Sequence, residues 1–343
     1  MDKSKHPFIS PPESSRGTKH LSKEEFQARE LKVHLSNGTT TINSTSSAVK
    51  QNEARDLFIL LRPQQWIKNG FVFIGFFFAE QFTNFLLFSQ VLFAALAFCL
   101  ASSCVYIFND IADIQRDRLH PRKKNRPLPS GKVTESYAKA LSTLLGVSAL
   151  FLGLYVSPKV ALMLICYLFI NVLYTTWLKN VVILDVFCIC AGFMLRIFAG
   201  TTGVGIPPSE WLLLCGMMLT LFLGFTKRRA ELKGLENNGE DFRKVLSQYE
   251  PRFLDEVIAI CAAGVIITYS LYTMDQSTVG VHHTSALIYT VPFVIYGVFR
   301  YLYLLHNYNQ GEDPASDVVR DSHMIICMLG WASTSIIIMY YIF

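Results

Sequence analysis

The chain has 343 residues, is 51 % hydrophobic and only 17 % charged, and carries a formal net charge of +5. Ordinary soluble domains are roughly 25 % charged. Apolar runs near twenty residues recur from Gly70 to the C-terminus, which excludes a pair of soluble domains and indicates a polytopic, all-α membrane protein. The small positive balance is no signature of nucleic-acid binding; what matters is where the charges sit.

Residues 1–54 are rich in Ser, Thr, Lys and Glu, with Pro11 and Pro12, and hold no apolar run, so they read as neither signal peptide nor span. They cannot bury a core, and disorder is expected, apart from a short helix over 22–31 opened by Ser22 and Glu25. The domain reading is a disordered cytoplasmic tail, 1–54, followed by a transmembrane domain, 55–343. About nine spans are expected, at 65–82, 86–111, 137–156, 160–177, 182–203, 210–226, 253–274, 285–305 and 322–343. The eight cysteines all fall in apolar segments without a CxxC pair, so they read as small buried hydrophobes, not as a zinc site or a disulfide framework.

Charge sets the expected orientation. One set of connections carries Arg116, Arg118, Arg122, Lys123, Lys124, Arg126 and Lys132, then Lys179, then Lys227, Arg228, Arg229, Lys233, Arg243, Lys244 and Arg252, then Arg320. The opposite set carries only Lys159. The positive-inside rule puts the first set, and with it the N-terminus, in the cytoplasm; nine spans then leave the C-terminus outside.

The densest chemistry lies where the second span runs out, at Asn109-Asp110-Ile-Ala-Asp113-Ile-Gln-Arg-Asp117. In a helix Asp110, Asp113 and Asp117 share a face, which Asn109 joins, and the carboxylates cover about 10 Å of axis. A solvated helix end balanced by Arg116 and Arg118 is the plain alternative. Placed at the end of an apolar span, however, each Asp would cost roughly 2.5–3.5 kcal/mol at mid-membrane. The three must therefore line a polar, cytoplasm-facing cavity, and they make most sense around a hard cation. Mg²⁺ takes few carboxylates and completes its shell with water and substrate phosphates; Mn²⁺ is the other candidate.

Polar and basic residues gather at the same membrane face. Arg62, Lys68 and Asn69 open the first span, Tyr174 and Lys179 end the fourth, Asp185 starts the fifth, and Lys227, Arg228 and Glu231 end the sixth. Arg196 lies inside the fifth span, about three turns beyond Asp185, too deep to snorkel cheaply. Snorkelling to headgroups is the competing account for Arg62, Lys68 and Lys179. A carboxylate centre ringed by Arg and Lys suits a diphosphate, with metal bridging its oxygens and cations neutralising the leaving group. No GxxxxGK[ST], GxSxG or HExxH stretch is present.

The N-D-x-x-D-x-x-x-D run after the second span resembles the first Asp-rich motif of the UbiA superfamily of intramembrane prenyltransferases, and the likeness covers about 55–343. It implies a UbiA-type helical bundle. Where aromatic prenyltransferases of that superfamily carry a second Asp-rich motif, this chain reads Thr226-Lys227-Arg228-Arg229-Ala230-Glu231-Leu232. That departure favours a more phosphorylated substrate set. Arg62-Pro-x-x-Trp66-x-Lys68-Asn69, Asp117-Arg118-x-His120-Pro121, Leu178-Lys179 with Asp185, Arg196-x-x-Ala199-Gly200 and Lys227-Arg228-x-Ala230-Glu231-Leu232 are similar to the decaprenyl-phosphate phosphoribosyltransferase branch.

The resemblance implies Mg²⁺-dependent transfer of 5-phosphoribose from phosphoribosyl pyrophosphate to a membrane polyprenyl phosphate. Asn109, Asp110, Asp113 and Asp117 would be at the metal, and Lys68, Lys124 and Arg126 at the pyrophosphate. Lys179, Arg196, Lys227 and Arg228 would be at the remaining phosphates, with Arg62, Asn69, Tyr174, Asp185 and Glu231 in the binding site. Two alternatives stay open: a prenyltransferase that alkylates an aromatic or other acceptor, and a cation-coupled transporter or lipid-binding protein.

Overall fold

A computed structural model describes residues 55–343 except 80, 82, 122, 239–243, 309–319 and 342–343. The tail and helix expected before residue 55 lie outside the described residues. Every regular element among the described residues is helical. Residues 55–61 form a helical lead-in. A 3-10 helix, Pro63–Phe73, then runs into a short α-helix, Ile74–Phe78 (together α1). There follow α2 (Phe85–Ala112), α3 (Ile114–Leu119), α4 (Glu135–Val156), α5 (Pro158–Thr176), α6 (Leu184–Gly200) and α7 (Glu210–Asn238). The last four are α8 (Pro251–Met274), α9 (Gln276–His282), α10 (Val291–Tyr308) and α11 (Ser322–Tyr341).

Eight of the described helices are long and apolar enough to cross a membrane, and the protein is an integral membrane protein. The expected first span is the exception. It is no continuous α-helix, because α1 is mostly 3-10, with a rise of about 2 Å per residue. Its sixteen residues thereby reach about 30 Å, close to the thickness of a hydrocarbon core.

Local chemistry sets the helix ends. Asn84 caps α2 by accepting from Leu87 N at 3.1 Å, and Ser157 caps α5 by accepting from Val160 N at 3.1 Å, with Pro158 in the first turn. Among the described residues, two large apolar cores result, with two smaller clusters around Ile107 and Ile338. One gathers Val72, Phe76, Val91, Phe98, Leu164 and Ala199; the other gathers Val186, Phe222, Leu246, Leu254, Ile258 and Tyr301. Helix α6 feeds both, so it ties the halves together. Its last residue, Gly200, lies against α1 so closely that a Cβ would sit 1.7 Å from the Val72 carbonyl oxygen. Only glycine permits that approach, which fixes α1, and the polar residues it carries, against α6.

Candidate active site

The acidic run does not lie on one unbroken helix. Helix α2 ends at Ala112, and Asp113 is the turn residue (φ −98°, ψ 6°) from which α3 departs. The backbone bonds from Asp113 N to Asn109 O and from Asp117 N to Asp113 O are kept, both at 2.9 Å. The chain therefore continues with helical spacing but not with one face. Asp110 and Asp117 are buried side by side, and Asp113 is only half-buried.

Each carboxylate is held by cations. Arg126 Nη1 donates to both Asp117 Oδ2, at 2.8 Å, and Asp110 Oδ1, at 3.2 Å. Arg62 also donates to Asp110 Oδ1. Asp113 accepts from Lys179 Nζ at 3.2 Å and from Arg116 Nη2 at 2.9 Å. Arg62 reaches its partner from a left-handed backbone (φ 52°, ψ 57°) at the end of the lead-in helix, just before Pro63. Its guanidinium also lies 5.2 Å from the Tyr106 ring centre. Asn109 accepts from the Thr175 hydroxyl, which joins α2 to α5.

As they stand, no three Asp, Glu, His or Cys side chains converge on one point among the described residues. The donor set still fits a hard divalent ion: three carboxylates and an amide oxygen within one short segment, with room in the coordination shell for phosphate oxygens. It does not resemble an all-protein cage.

A second network stands beside the first. Asp185 and Arg228 are fully buried, with Arg228 Nε donating to Asp185 Oδ2 at 2.5 Å. Arg228 also bonds Glu231 and, at 3.3 Å, the Tyr174 hydroxyl. Tyr249 donates to Asp185 Oδ1 at 2.7 Å and accepts from Ile183 N at 2.7 Å. Burial first, and then the bond to Asp185, push the Tyr249 phenol well above its ordinary pKa. Lys227, one residue from Arg228, is half-buried with its Nζ 4.0 Å from Glu231 Oε1.

Arg196 forms a third group, apart from Asp185. It is buried and donates to Asn69 Oδ1 at 2.7 Å, to Gly192 O at 2.7 Å and to the Tyr167 hydroxyl at 3.1 Å. Its guanidinium carbon lies 4.6 Å from the Tyr167 ring centre and 5.5 Å from those of Phe98 and Phe193. Asn69 in turn donates to Cys99 and Ser102 of α2. Lys68 bonds Gln65 at 2.5 Å. Lys124 is exposed in a 3-10 turn, and its side chain joins none of these networks.

The structure thus brings together Arg62, Asp110, Asp113, Asp117, Arg126 and Lys179, and separately Tyr174, Asp185, Arg228 and Glu231 with Lys227 at their edge. Thr175, Tyr167, Tyr106 and Tyr249 join these groups although nothing local in the sequence marks them. A defined cavity of about 600 Å³ lies elsewhere, lined by Leu86, Gln90, Thr201, Ser209 and Thr278. It is at the end of α2 remote from Asp110, about 30–36 Å away at roughly 1.5 Å per residue.

The profile of the UbiA prenyltransferase family matches residues 70–320. The decaprenyl-phosphate phosphoribosyltransferase of Mycolicibacterium smegmatis is 31 % identical over 297 residues, which cover 83 % of this chain and 92 % of that one. The enzyme of the same name from Corynebacterium glutamicum is 31 % identical over 84 % of this chain and 87 % of its own. Among solved structures, a UbiA homologue from Archaeoglobus fulgidus bound to DMAPP and Mg²⁺ superposes with a TM-score of 0.62 at 16 % identity. The match covers 82 % of this chain and 98 % of that one.

Proposed function

The chain belongs to the UbiA prenyltransferase family and is a transferase, and from that premise we propose that it moves 5-phosphoribose from phosphoribosyl pyrophosphate to a polyprenyl phosphate. The observation that carries this reading is the basic pair Lys227 and Arg228 near the end of α7, with Lys227 left at the edge of its network. By the resemblance, Lys227 and Arg228 take the place at which the aromatic prenyltransferases carry a second Asp-rich motif. Cations in both networks, Arg62, Arg126 and Lys179 in one and Lys227 in the other, favour a donor with phosphates at both ends over a neutral aromatic acceptor. The names of the relatives at 31 % identity support the same donor and acceptor.

Asp110, Asp113, Asp117 and Asn109 would hold a divalent ion, Mg²⁺ as in the Archaeoglobus homologue or Mn²⁺. Bound there, the ion would neutralise charge on the departing diphosphate. Arg62, Arg126 and Lys179, bonded to the same carboxylates, would exchange a carboxylate for the donor's phosphates. Lys68 and Lys124 stand on neighbouring segments as further countercharges. The C1–O bond to pyrophosphate breaks as a lipid phosphate oxygen bonds to C1, and positive charge builds on the ribose between the two events. A phosphate monoester is largely ionised near neutral pH, so no strong base has to take a proton. Lys227 stands at the edge of its network and would meet the second phosphate. Arg228 acts behind it, ordering Glu231 and Tyr174. Arg196 and Asn69 order α1 against α6 within the membrane.

The proposed topology keeps the acidic run, Lys179 and the α7–α8 connection on the cytoplasmic side, where phosphoribosyl pyrophosphate is soluble, while the acceptor enters from the bilayer. Pyrophosphate release by the purified protein tests the reading. It should require both phosphoribosyl pyrophosphate and a polyprenyl phosphate, and stop in excess chelator. Release that proceeds without the lipid, or at full rate in chelator, would contradict it.

A further inference from the structure

The segment that carries Lys179 into α6 is a stack of tight turns. Val181 N donates to Leu178 O at 3.1 Å, Leu184 N to Val182 O at 2.8 Å, and Asp185 N to Val181 O at 3.1 Å. The middle bond closes a three-residue turn around Ile183, whose φ of 71° and ψ of −49° belong to the rare, strained γ-turn. A β-branched residue with positive φ is a genuine outlier, and such strain persists only when its surroundings enforce it. Here the enforcing group is visible. Tyr249, from the connection between α7 and α8, is buried and places its hydroxyl between Ile183 N and Asp185 Oδ1, at 2.7 Å from each. The connection is itself anchored, because Val245 and Leu246 are fully buried in the apolar core. One hydroxyl therefore links the turn that follows Lys179 to the carboxylate that holds Arg228.

We propose that Tyr249 is a positioning residue of the transfer site: it holds the Ile183 turn and the Asp185 carboxylate in register, so that Lys179 reaches Asp113 while Arg228 reaches Tyr174 and Glu231. It touches no reacting atom. Its effect is on how well Lys179 and the Arg228 network are set for a phosphorylated ligand, and to that extent the assignment rests on reading the site as a diphosphate centre. The raised pKa of the phenol keeps it a donor to Asp185 throughout the physiological range.

The test is the affinity of the full-length protein for pyrophosphate in the presence of Mg²⁺, measured by calorimetry in detergent. Tyr249→Phe removes only the hydroxyl and should raise the Kd about tenfold, the scale of one hydrogen bond to a charged group. Glycine adopts positive φ without strain. Adding Ile183→Gly to Tyr249→Phe should therefore bring the Kd back to within about threefold of the parent. An unchanged Kd in Tyr249→Phe, with or without a lower unfolding midpoint, would show that the hydroxyl only stabilises the fold and would overturn the assignment. A weakened Kd that Ile183→Gly does not recover overturns it too, because the turn would then not be what Tyr249 holds. Phosphoribose transfer is assayed on the same preparations. A parent protein that binds pyrophosphate yet transfers no phosphoribose removes the functional reading and leaves the assignment of Tyr249 to stand or fall on the Kd values.

Discussion

Arg228 and Asp185 face each other with no exposed side-chain surface on either, Nε to Oδ2 at 2.5 Å. Lys227, its neighbour in sequence, keeps about a third of its side chain exposed. Successive residues of a helix point about 100° apart, so one basic residue of α7 is built into the protein and the next lies at its edge. The two therefore differ in what their loss does. Arg228→Ala leaves Asp185 buried without its countercharge, and removing one partner of a buried pair costs about 3–5 kcal/mol. Yield and thermal midpoint should fall sharply.

Lys227→Ala should leave the fold intact and weaken use of a phosphorylated substrate about tenfold in kcat/KM, the worth of one charge-assisted contact. Kinetics on purified protein, with each substrate varied in turn, read this out. An unchanged kcat/KM for both substrates removes Lys227 from the site.

Arg126 spans Asp110 and Asp117 from a single nitrogen. It neutralises the carboxylates that the proposed ion would use, so Arg126→Gln should have two effects of opposite sign. Affinity for Mn²⁺ in the absence of substrate should rise, because a competing cation is gone, and turnover should fall. Mn²⁺ titration followed by electron paramagnetic resonance distinguishes this from simple damage, which would lower both.

Asp110→Asn and Asp113→Asn keep the side-chain shape and remove the charge. Each should abolish most turnover with folding preserved, and chelation of the parent protein should do the same. Asp113→Asn should be the milder for stability, since Asp113 is the more exposed. Residual activity near the parent level in both variants would show that the acidic run is not the metal site.

The Gly200 contact makes a prediction about the scaffold alone. Gly200→Ala drives a methyl into the Val72 carbonyl, a backbone atom that cannot swing aside. Overpacking of this kind costs about 1–3 kcal/mol. The thermal midpoint should drop, and Arg196 should lose its bond to Asn69, because α1 must move away from α6. A midpoint equal to the parent's would mean the two helices are not in that contact.

Much of this arrangement is legible in the sequence. The apolar runs at 86–111, 137–156 and 253–274 reappear as Phe85–Ala112, Glu135–Val156 and Pro251–Met274, since a run long enough to cross a bilayer has to be helical there. The acidic run and its basic surroundings could be read because their chemistry is dense and local. The 3-10 character of Pro63–Phe73 could not, for its apolar residues look the same in either helix. Nor could the break at Asp113, which divides the carboxylates into a buried pair and a half-buried single. The partners that matter most lie far apart in the chain: Tyr249 is 64 residues from Asp185, and Thr175 is 66 from Asn109. A lone Tyr or Thr in a chain this rich in aromatics carries no local mark of such a role. Which face of α7 turns inward was likewise decided by packing against α6 and α8, so Lys227 and Arg228 read alike until the bundle is assembled.

The most direct test of the account is the fate of the ribose. Purified protein is incubated with Mg²⁺, a polyprenyl phosphate and phosphoribosyl pyrophosphate labelled in the ribose carbons, and the organic extract is examined by mass spectrometry. The expected product is a labelled lipid heavier than the acceptor by one phosphoribosyl group, formed with one pyrophosphate per molecule and absent in Asp110→Asn. If no label enters the lipid while the same protein, supplied with a prenyl diphosphate, alkylates an aromatic acceptor, the assignment of donor and acceptor is wrong.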